Sequence, residues 1–222
     1  MKNPVKYSFR TEIWPLLILL ATVGLSLWAY PQLPARVITH WSFNGQANGW
    51  SSREFHTIFF PALLVVFYVL LSFLPKLDPM GARYQEFAGV YRTMRTLILL
   101  VLFVVFVAAT LANLGYAINI GATVAGAVGL MMIILGNYFK KLKRNFFVGI
   151  RTPWTLSSEN VWDKTHLLGG RLFMIWGLGL ILAPWLASVA AFIILFGGMA
   201  VTITWVCIYS YVLYEREKKD GI

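Results

Sequence analysis

The sequence predicts an all-α membrane protein, a polytopic bundle of six transmembrane helices, on three observations. Of the 222 residues, 59% are apolar and 13% are charged, and the mean hydropathy is +0.69, whereas soluble proteins average about 25% charged residues. Six apolar runs approach the ~20 residues that cross a bilayer core of ~30 Å. Basic residues also cluster in alternate connecting segments. We place the spans at about 12–30, 57–75, 96–114, 117–138, 172–189 and 191–213.

The distribution of Lys and Arg predicts the orientation of the bundle. Seventeen of the 19 basic residues lie in the N-terminus, in segments 76–95 and 139–171 and in the C-terminal tail, while segment 31–56 holds two, Arg36 and Arg53. Because the basic excess of membrane proteins lies in cytoplasmic loops, we expect both termini in the cytoplasm and segment 31–56 outside. The net charge of +10 then reflects topology and attraction to anionic lipid headgroups, and it does not indicate direct nucleic-acid binding.

The first span has one competing interpretation. Lys2, Lys6 and Arg10 precede an apolar run, as basic residues do in a secretory signal peptide. The run from Ile13 to Tyr30 is, however, long for the apolar part of a signal peptide, and no clear small-residue cleavage site follows it. We therefore interpret this run as a retained transmembrane helix.

Segment 31–56 carries the pattern of a short β-hairpin. Within residues 33–50, β-prone residues occur at alternate positions, and the pair Asn44-Gly45 separates two such runs. This pattern is a good local signal for a hairpin. Its aromatic residues fit two interpretations, anchors at the membrane interface or a surface that contacts an amphipathic peptide. The candidate peptide contacts are His40, Trp41, Phe43 and Trp50.

Small residues recur in the last three spans. They are Gly121, Ala125 and Gly129 in the fourth span, Gly177 and Gly179 in the fifth, and Gly197 and Gly198 in the sixth. Because small residues let membrane helices approach closely, we interpret these as packing positions. The single Cys207 lies in the sixth span and allows no intrachain disulfide.

A polar segment, residues 136–171, interrupts the apolar sequence between the fourth and fifth spans. Pro153 disfavours helical geometry at Thr152, and Ser157 or Ser158 is suited to cap a following helix. A long loop that mixes Arg, Trp, Glu, Asp and His indicates a role of its own. We expect a structured cytoplasmic loop here.

On the helix that follows, Glu159, Asp163 and His166 fall on one face. Two carboxylates and a histidine could bind a metal or perform acid–base chemistry. We favour the alternative, a polar face that pairs with basic residues, because no second ligand set such as HExxH occurs in the chain. The expected basic partners are Arg151, Lys164 and Arg171, with Arg151 making bidentate bonds to Glu159 or Asp163. We also expect no ionisable residue inside the spans, which argues against a proton relay.

Residues 145–156 read NFFVGIRTPWTL, and Val161-Trp162 and Gly169-Gly170 follow them. This run closely resembles the signature of SdpI-type membrane proteins. The leucine-proline, threonine-histidine and glycine-tryptophan pairs of residues 33–50 are similar to a small N-terminal domain of unknown function that often precedes that region. The resemblance divides the chain into residues 1–75, a helical pair with the outward loop, and residues 76–222, a four-helix region that contains the polar segment.

The resemblance implies a multi-pass protein of the bacterial cell membrane that gives immunity to a secreted peptide toxin. Its partners would be the toxin, the lipid bilayer and a small cytoplasmic repressor that toxin binding recruits to the membrane. We expect no catalytic residue, metal or cofactor. The candidate binding or relay residues of the polar segment are Asn145, Gly149, Arg151, Thr152, Pro153, Trp154, Thr155, Glu159, Trp162, Asp163 and His166.

Two other function classes stay open at this point. One is a transporter or exporter of an amphipathic compound, and the other is a membrane enzyme that uses Glu159, Asp163 and His166. A general role in envelope stress is a further alternative within the family resemblance. The sequence leaves the oligomeric state open.

Overall fold

The computed structural model describes residues 3–42, 45–186 and 188–220 of the chain. Within them, six helices are long and apolar enough to cross a membrane, which confirms the predicted fold class. The long helices are α1 (Phe9–Ala29), α2 (Arg53–Leu77), α3 (Ala88–Asn113), α4 (Ile120–Phe139), α6 (Glu159–Leu182) and α8 (Gly198–Asp220). Shorter elements are α5 (Pro153–Ser157), α7 (Ser188–Phe192), 3₁₀ turns at Gly81–Gln85 and Ala183–Trp185, and a π-helical segment at Ile193–Gly197. Strands β1 (Arg36–Trp41) and β2 (Ala47–Ser52) form an antiparallel hairpin.

The outer faces of the long helices are apolar. Trp14 and Leu27 of α1, Ile58 of α2 and Ile175 of α6 each expose about two thirds or more of their surface. A soluble monomer rarely exposes apolar surface on this scale, so these faces are suited to lipid. The chain is a multi-pass membrane protein.

The long helices run alternately in opposite directions, which gives the bundle two distinct ends. The hairpin end contains residues 30–42, 45–52 and 114–119, together with residues 183–186 and 188–197. The loop end contains residues 3–8, 78–87 and 140–158. Helix α8 also ends there, as shown by the hydrogen bond that Ser158 donates to Glu217 of α8 at 2.7 Å. Both described termini therefore lie at the loop end.

The larger apolar core lies at the loop end. Aromatic and aliphatic side chains from the N-terminal segment, the 3₁₀ turn, α3, α4 and α6 meet there and exclude water. This core packs α3 against α4 and α6, and so connects the first three long helices with the last three. Its buried members are Val5, Tyr84, Phe87, Val90, Tyr91, Phe139, Leu142 and Trp162.

The hairpin is attached to the bundle by a smaller contact. Leu33 and Val37 are buried with Ala29 and pack against Leu114. Asn113, the last residue of α3, accepts from the Ile38 amide at 2.7 Å and donates to the Ile38 carbonyl at 2.9 Å. The Asn113 side chain thus occupies the free edge of β1 as a neighbouring strand would.

Helices α4 and α6 approach each other through paired glycines. A Cβ at Gly129 would meet the carbonyl oxygen of Gly177, and a Cβ at Gly136 would meet that of Gly170; the reverse substitutions meet the same obstacle. Each pair is seven residues from the next, which is two helical turns. The packing role predicted for Gly129 and Gly177 is confirmed, and Gly136 and Gly170 extend it.

The fifth span begins earlier than predicted. Helix α6 starts at Glu159, with Ser158 as its N-cap accepting from the Val161 amide at 3.2 Å, and it continues to Leu182. The prediction of a start near residue 172 was wrong, because the polar first turns and the apolar turns form one continuous helix. The capping role predicted for Ser158 is confirmed.

Candidate functional site

Asn145 organises the first half of the polar segment from inside. Its side chain is fully buried, and its amide group donates to the carbonyls of Lys143 (2.8 Å) and Val148 (3.0 Å). Its amide oxygen accepts from the backbone amides of Phe147 (3.0 Å) and Val148 (2.7 Å). One side chain therefore satisfies four backbone groups of an irregular loop, which helices and sheets would otherwise do.

Asp78 and Tyr84 attach this loop to the α2–α3 connection. The Tyr84 hydroxyl lies 3.0 Å from Asp78 Oδ2 and 3.1 Å from Asn145 Oδ1, and Asp78 Oδ2 accepts from the Phe146 amide at 2.9 Å. Burial, and secondly the Asp78 carboxylate, raise the pKa of Tyr84 above its ordinary value, so the phenol stays protonated and donates. Sequence reasoning missed both residues because they lie outside the polar segment, 61 and 68 residues from their partners.

Gly149 and His166 pack the middle of the loop against α6. The buried His166 ring accepts from the Ile150 amide at Nε2 (2.9 Å), and Nδ1 lies 2.8 Å from the Trp162 carbonyl. Those partners assign the neutral tautomer with the proton on Nδ1. Gly149 has φ +107°, and a Cβ there would overlap His166 Nε2. Both predicted residues thus serve the close contact between loop and helix.

Thr152 and Thr155 close the second half of the segment. Thr152 caps α5 by accepting from the Thr155 amide (3.1 Å), and Thr155 Oγ1 accepts from the Thr152 amide (2.9 Å), which is a reciprocal capping box. Pro153 is the first residue of α5, where its fixed φ costs nothing. The Thr152 hydroxyl also donates to Ser210 Oγ at 3.0 Å, so this turn is joined to α8.

The predicted partner of Arg151 was wrong. Arg151 is exposed and its Nη1 donates to the Phe146 carbonyl at 2.7 Å. Glu159 pairs instead with Arg83 of the 3₁₀ turn, and Arg144 Nη2 lies 4.0 Å from it. Glu159 therefore pairs with Arg83, which lies 76 residues away in sequence, and not with Arg151, the arginine nearest to it in sequence.

Two tryptophans of the segment occupy different positions. Trp162 is buried, donates to the Leu142 carbonyl at 2.9 Å and stacks on His166 with ring centres 4.0 Å apart. Trp154 is half-buried and packs on Tyr211 of α8 at 5.1 Å between ring centres. Trp162 therefore belongs to the core, whereas Trp154 borders the surface.

Glu159, Asp163 and His166 do not form a reactive group. Glu159 and Asp163 are exposed, whereas His166 is covered by the loop and has both ring nitrogens engaged. No group of three or more His, Cys, Asp or Glu side chains suited to a metal occurs among residues 3–42, 45–186 and 188–220. The geometry gives the metal and enzyme hypotheses no support.

The candidate peptide contacts at the hairpin end are arranged on the two strands. His40 and Trp50 are exposed, and Trp41 is half-buried. The Arg36 guanidinium lies 5.4 Å from the centre of the Trp50 ring, and the His40 ring bonds to the Asn48 amide oxygen across the hairpin. Phe43 lies outside the described residues.

A buried ion pair at the loop end corrects the expectation that the spans lack ionisable residues. Arg95 of α3 reaches both carboxylate oxygens of Glu12 of α1 at 2.7 Å, and their side chains are 0% and 9% exposed. Ser72 and Tyr68 of α2 add hydrogen bonds to Arg95 (2.7 Å) and Glu12 (2.9 Å). The pair lay at the margins of the predicted spans, where charges are ordinarily interfacial, and only the fold shows that they meet.

The comparisons with known proteins agree with this architecture. Residues 141–210 match the SdpI/YfhL protein family, and residues 17–66 match a domain of unknown function, DUF1648. "Immunity protein SdpI" of Bacillus subtilis (strain 168) is 23% identical over 168 residues, which are 76% of this chain and 78% of that protein. No solved structure matches the chain. The resemblance to SdpI-type proteins and to the N-terminal companion domain is confirmed.

Proposed function

We propose that this chain is a membrane immunity protein that protects a bacterial cell from a secreted peptide toxin. The observation that carries the proposal is the similarity to an immunity protein across three quarters of the chain, combined with six membrane-spanning helices. The proposed role is not enzymatic, and the similarity to an immunity protein supports it.

The proposal assigns different tasks to the two ends of the bundle. At the hairpin end, His40, Trp41 and Trp50 present aromatic surface on an antiparallel hairpin, and tryptophan is among the residues that dominate protein interfaces. At the loop end, most of the residues that resemble the SdpI-type signature form hydrogen bonds within the loop. We therefore assign toxin recognition to the hairpin end, and the concentration of basic residues at the loop end supports an outward position for the hairpin end.

The exposed part of the loop end is the proposed relay surface. Arg151 and Phe146 are neighbours there, because the Arg151 guanidinium donates to the Phe146 carbonyl, and both side chains are exposed. An apolar ring beside a guanidinium suits an interface with another protein. A cytoplasmic repressor is the partner proposed for this surface.

Expression of the chain in a toxin-sensitive bacterium tests the proposal. Cells are exposed to a panel of membrane-depolarising peptide toxins, and the membrane level of the protein is measured in parallel. Survival should rise at least tenfold for one toxin relative to cells that carry an empty vector. Identical killing curves for the whole panel, at a verified membrane level, would contradict immunity.

Cysteine labelling tests the orientation on which the assignment of tasks depends. In a Cys207→Ala background, Gln46→Cys at the hairpin end and Ser157→Cys at the loop end are treated in intact cells with an impermeant thiol reagent. We expect Gln46→Cys to react and Ser157→Cys to react only after permeabilisation. The reverse pattern would place the proposed toxin surface in the cytoplasm and overturn it.

A further inference from the structure

A cleft of about 210 Å³ opens at the hairpin end beneath β1. His40 and Trp41 line it from the hairpin, and Phe60, Val105 and Ile120 line it from α2, α3 and α4. Its volume lies below the ~300–1,000 Å³ of sites for drug-sized ligands. A single large side chain is therefore a better match than a whole helix or a folded molecule.

His56 of α2 also lines this cleft and is 1% exposed. Its Nε2 lies 3.0 Å from the Thr110 hydroxyl, and its ring packs on Phe60 and Phe106 with centres 5.5 and 5.2 Å away. Its Nδ1 is buried and has no hydrogen-bond partner among the described residues. A buried polar atom of this kind carries a desolvation cost that a ligand group would remove.

We propose that the cleft receives a tryptophan or tyrosine side chain of a peptide, whose indole N–H or phenol hydroxyl bonds to His56 Nδ1. Aromatic walls favour an aromatic ring, and the unpaired His56 nitrogen matches a ring with one polar edge. The inference rests on the proposed function, since it makes the toxin the source of that ring. The cleft would hold this ring while the exposed hairpin contacts the rest of the peptide.

Histidine resonances provide the test, because the chain has three histidines. Protein labelled with ¹³C-histidine in detergent is titrated with N-acetyl-tryptophanamide, N-acetyl-tyrosinamide and N-acetyl-phenylalaninamide. The first two should shift the His56 resonance saturably, and the phenylalanine probe should bind roughly two- to tenfold more weakly, the worth of one hydrogen bond. The His166 resonance, at the loop end, should stay unchanged.

Variants separate the polar contact from the cavity. His56→Phe keeps a ring and loses the nitrogen, so all three probes should bind equally, as read from the His40 resonance. Val105→Trp keeps the histidine and fills the cleft that both residues line, so the probes should no longer shift the His56 resonance. Trp185→Ala is the matched control, because it removes an exposed tryptophan of the hairpin end that does not line the cleft, and it should leave probe binding unchanged.

Two outcomes would overturn the inference. Absence of any His56 shift would remove the site, and equal shifts from N-acetyl-leucinamide or diheptanoyl-phosphatidylcholine would make the cleft an unselective apolar or lipid cavity. Failure here with intact protection of cells would leave the proposed function standing. Selective aromatic binding by a chain that protects against no toxin would instead overturn the proposed function.

Discussion

The two ends of this bundle use their distinctive residues in opposite ways. At the loop end, Asn145, Thr155 and His166 are fully buried and fully engaged with backbone groups. At the hairpin end, Trp50 is 49% exposed, and the hairpin rests on a small apolar contact. A distinctive residue in a sequence can thus either build a loop or face a partner. The burial of its side chain distinguishes these two roles.

Asn145→Leu has the largest expected effect of the changes that test this comparison. It leaves two backbone amides and two backbone carbonyls of the loop without their partner, at roughly 1–3 kcal/mol for each group that water cannot reach. We expect severe loss of the protein from the membrane. Immunoblotting of membranes and thermal unfolding in detergent measure this.

Asn137→Ala is the matched control for that change. Asn137 is an exposed asparagine in the last turn of α4, so its loss should leave abundance near the wild-type level. If Asn145→Leu accumulated and unfolded like Asn137→Ala, the loop end would not depend on its internal hydrogen bonds and the contrast between the ends would collapse.

Glu12→Gln has the next largest expected effect, because it leaves the Arg95 guanidinium buried without its counter-charge. Removing one partner of a buried pair costs about 3–5 kcal/mol, and here it also loosens the junction of α1, α2 and α3. The midpoint of thermal unfolding in detergent should fall clearly.

The exposed pair Arg53–Glu54 is the control for the buried pair. Its side chains are 33% and 50% exposed, and solvent screens such surface pairs so that they contribute little to stability. Glu54→Gln should therefore barely move the midpoint. Equal effects of Glu12→Gln and Glu54→Gln would show that the buried pair is not structural.

Gly149→Ala at the loop end and Gly115→Ala at the hairpin end give a direct comparison of the two ends. Both glycines have positive φ, +107° and +92°, and backbone strain of this kind costs on the order of 1–3 kcal/mol. A Cβ at Gly115 meets nothing within 4 Å, whereas one at Gly149 overlaps His166. We therefore expect Gly149→Ala to lower the unfolding midpoint more than Gly115→Ala.

The double variant Gly149→Ala with His166→Ala isolates the clash. His166→Ala opens space for the new methyl group, so the double variant should be less destabilised than the sum of the two single changes. Strict additivity would mean that strain at Gly149, and not its contact with His166, explains the glycine.

The sequence predicted the periodic features of this protein and missed the distant contacts. Span number and the hairpin follow from apolar runs and from an Asn-Gly pair, which are local signals. The Tyr84–Asn145 and Asp78–Phe146 contacts and the Glu12–Arg95 pair each join residues more than 60 positions apart, and no local pattern encodes them. Most predicted site residues were structurally important, but their burial could not be read from spacing alone.

The smallest expected effect on stability, and the sharpest test of the comparison, comes from Trp50→Ala and Arg151→Ala. Both side chains are exposed, and surface changes ordinarily stay within about ±0.5 kcal/mol, so both variants should unfold like the wild type. Trp50→Ala should lose protection against the toxin, because it removes aromatic surface from the recognition end. Arg151→Ala should keep protection and lose the toxin-induced rise of a transcriptional reporter. If both variants behaved alike in survival and reporter assays at equal abundance, recognition and relay would not be divided between the two ends.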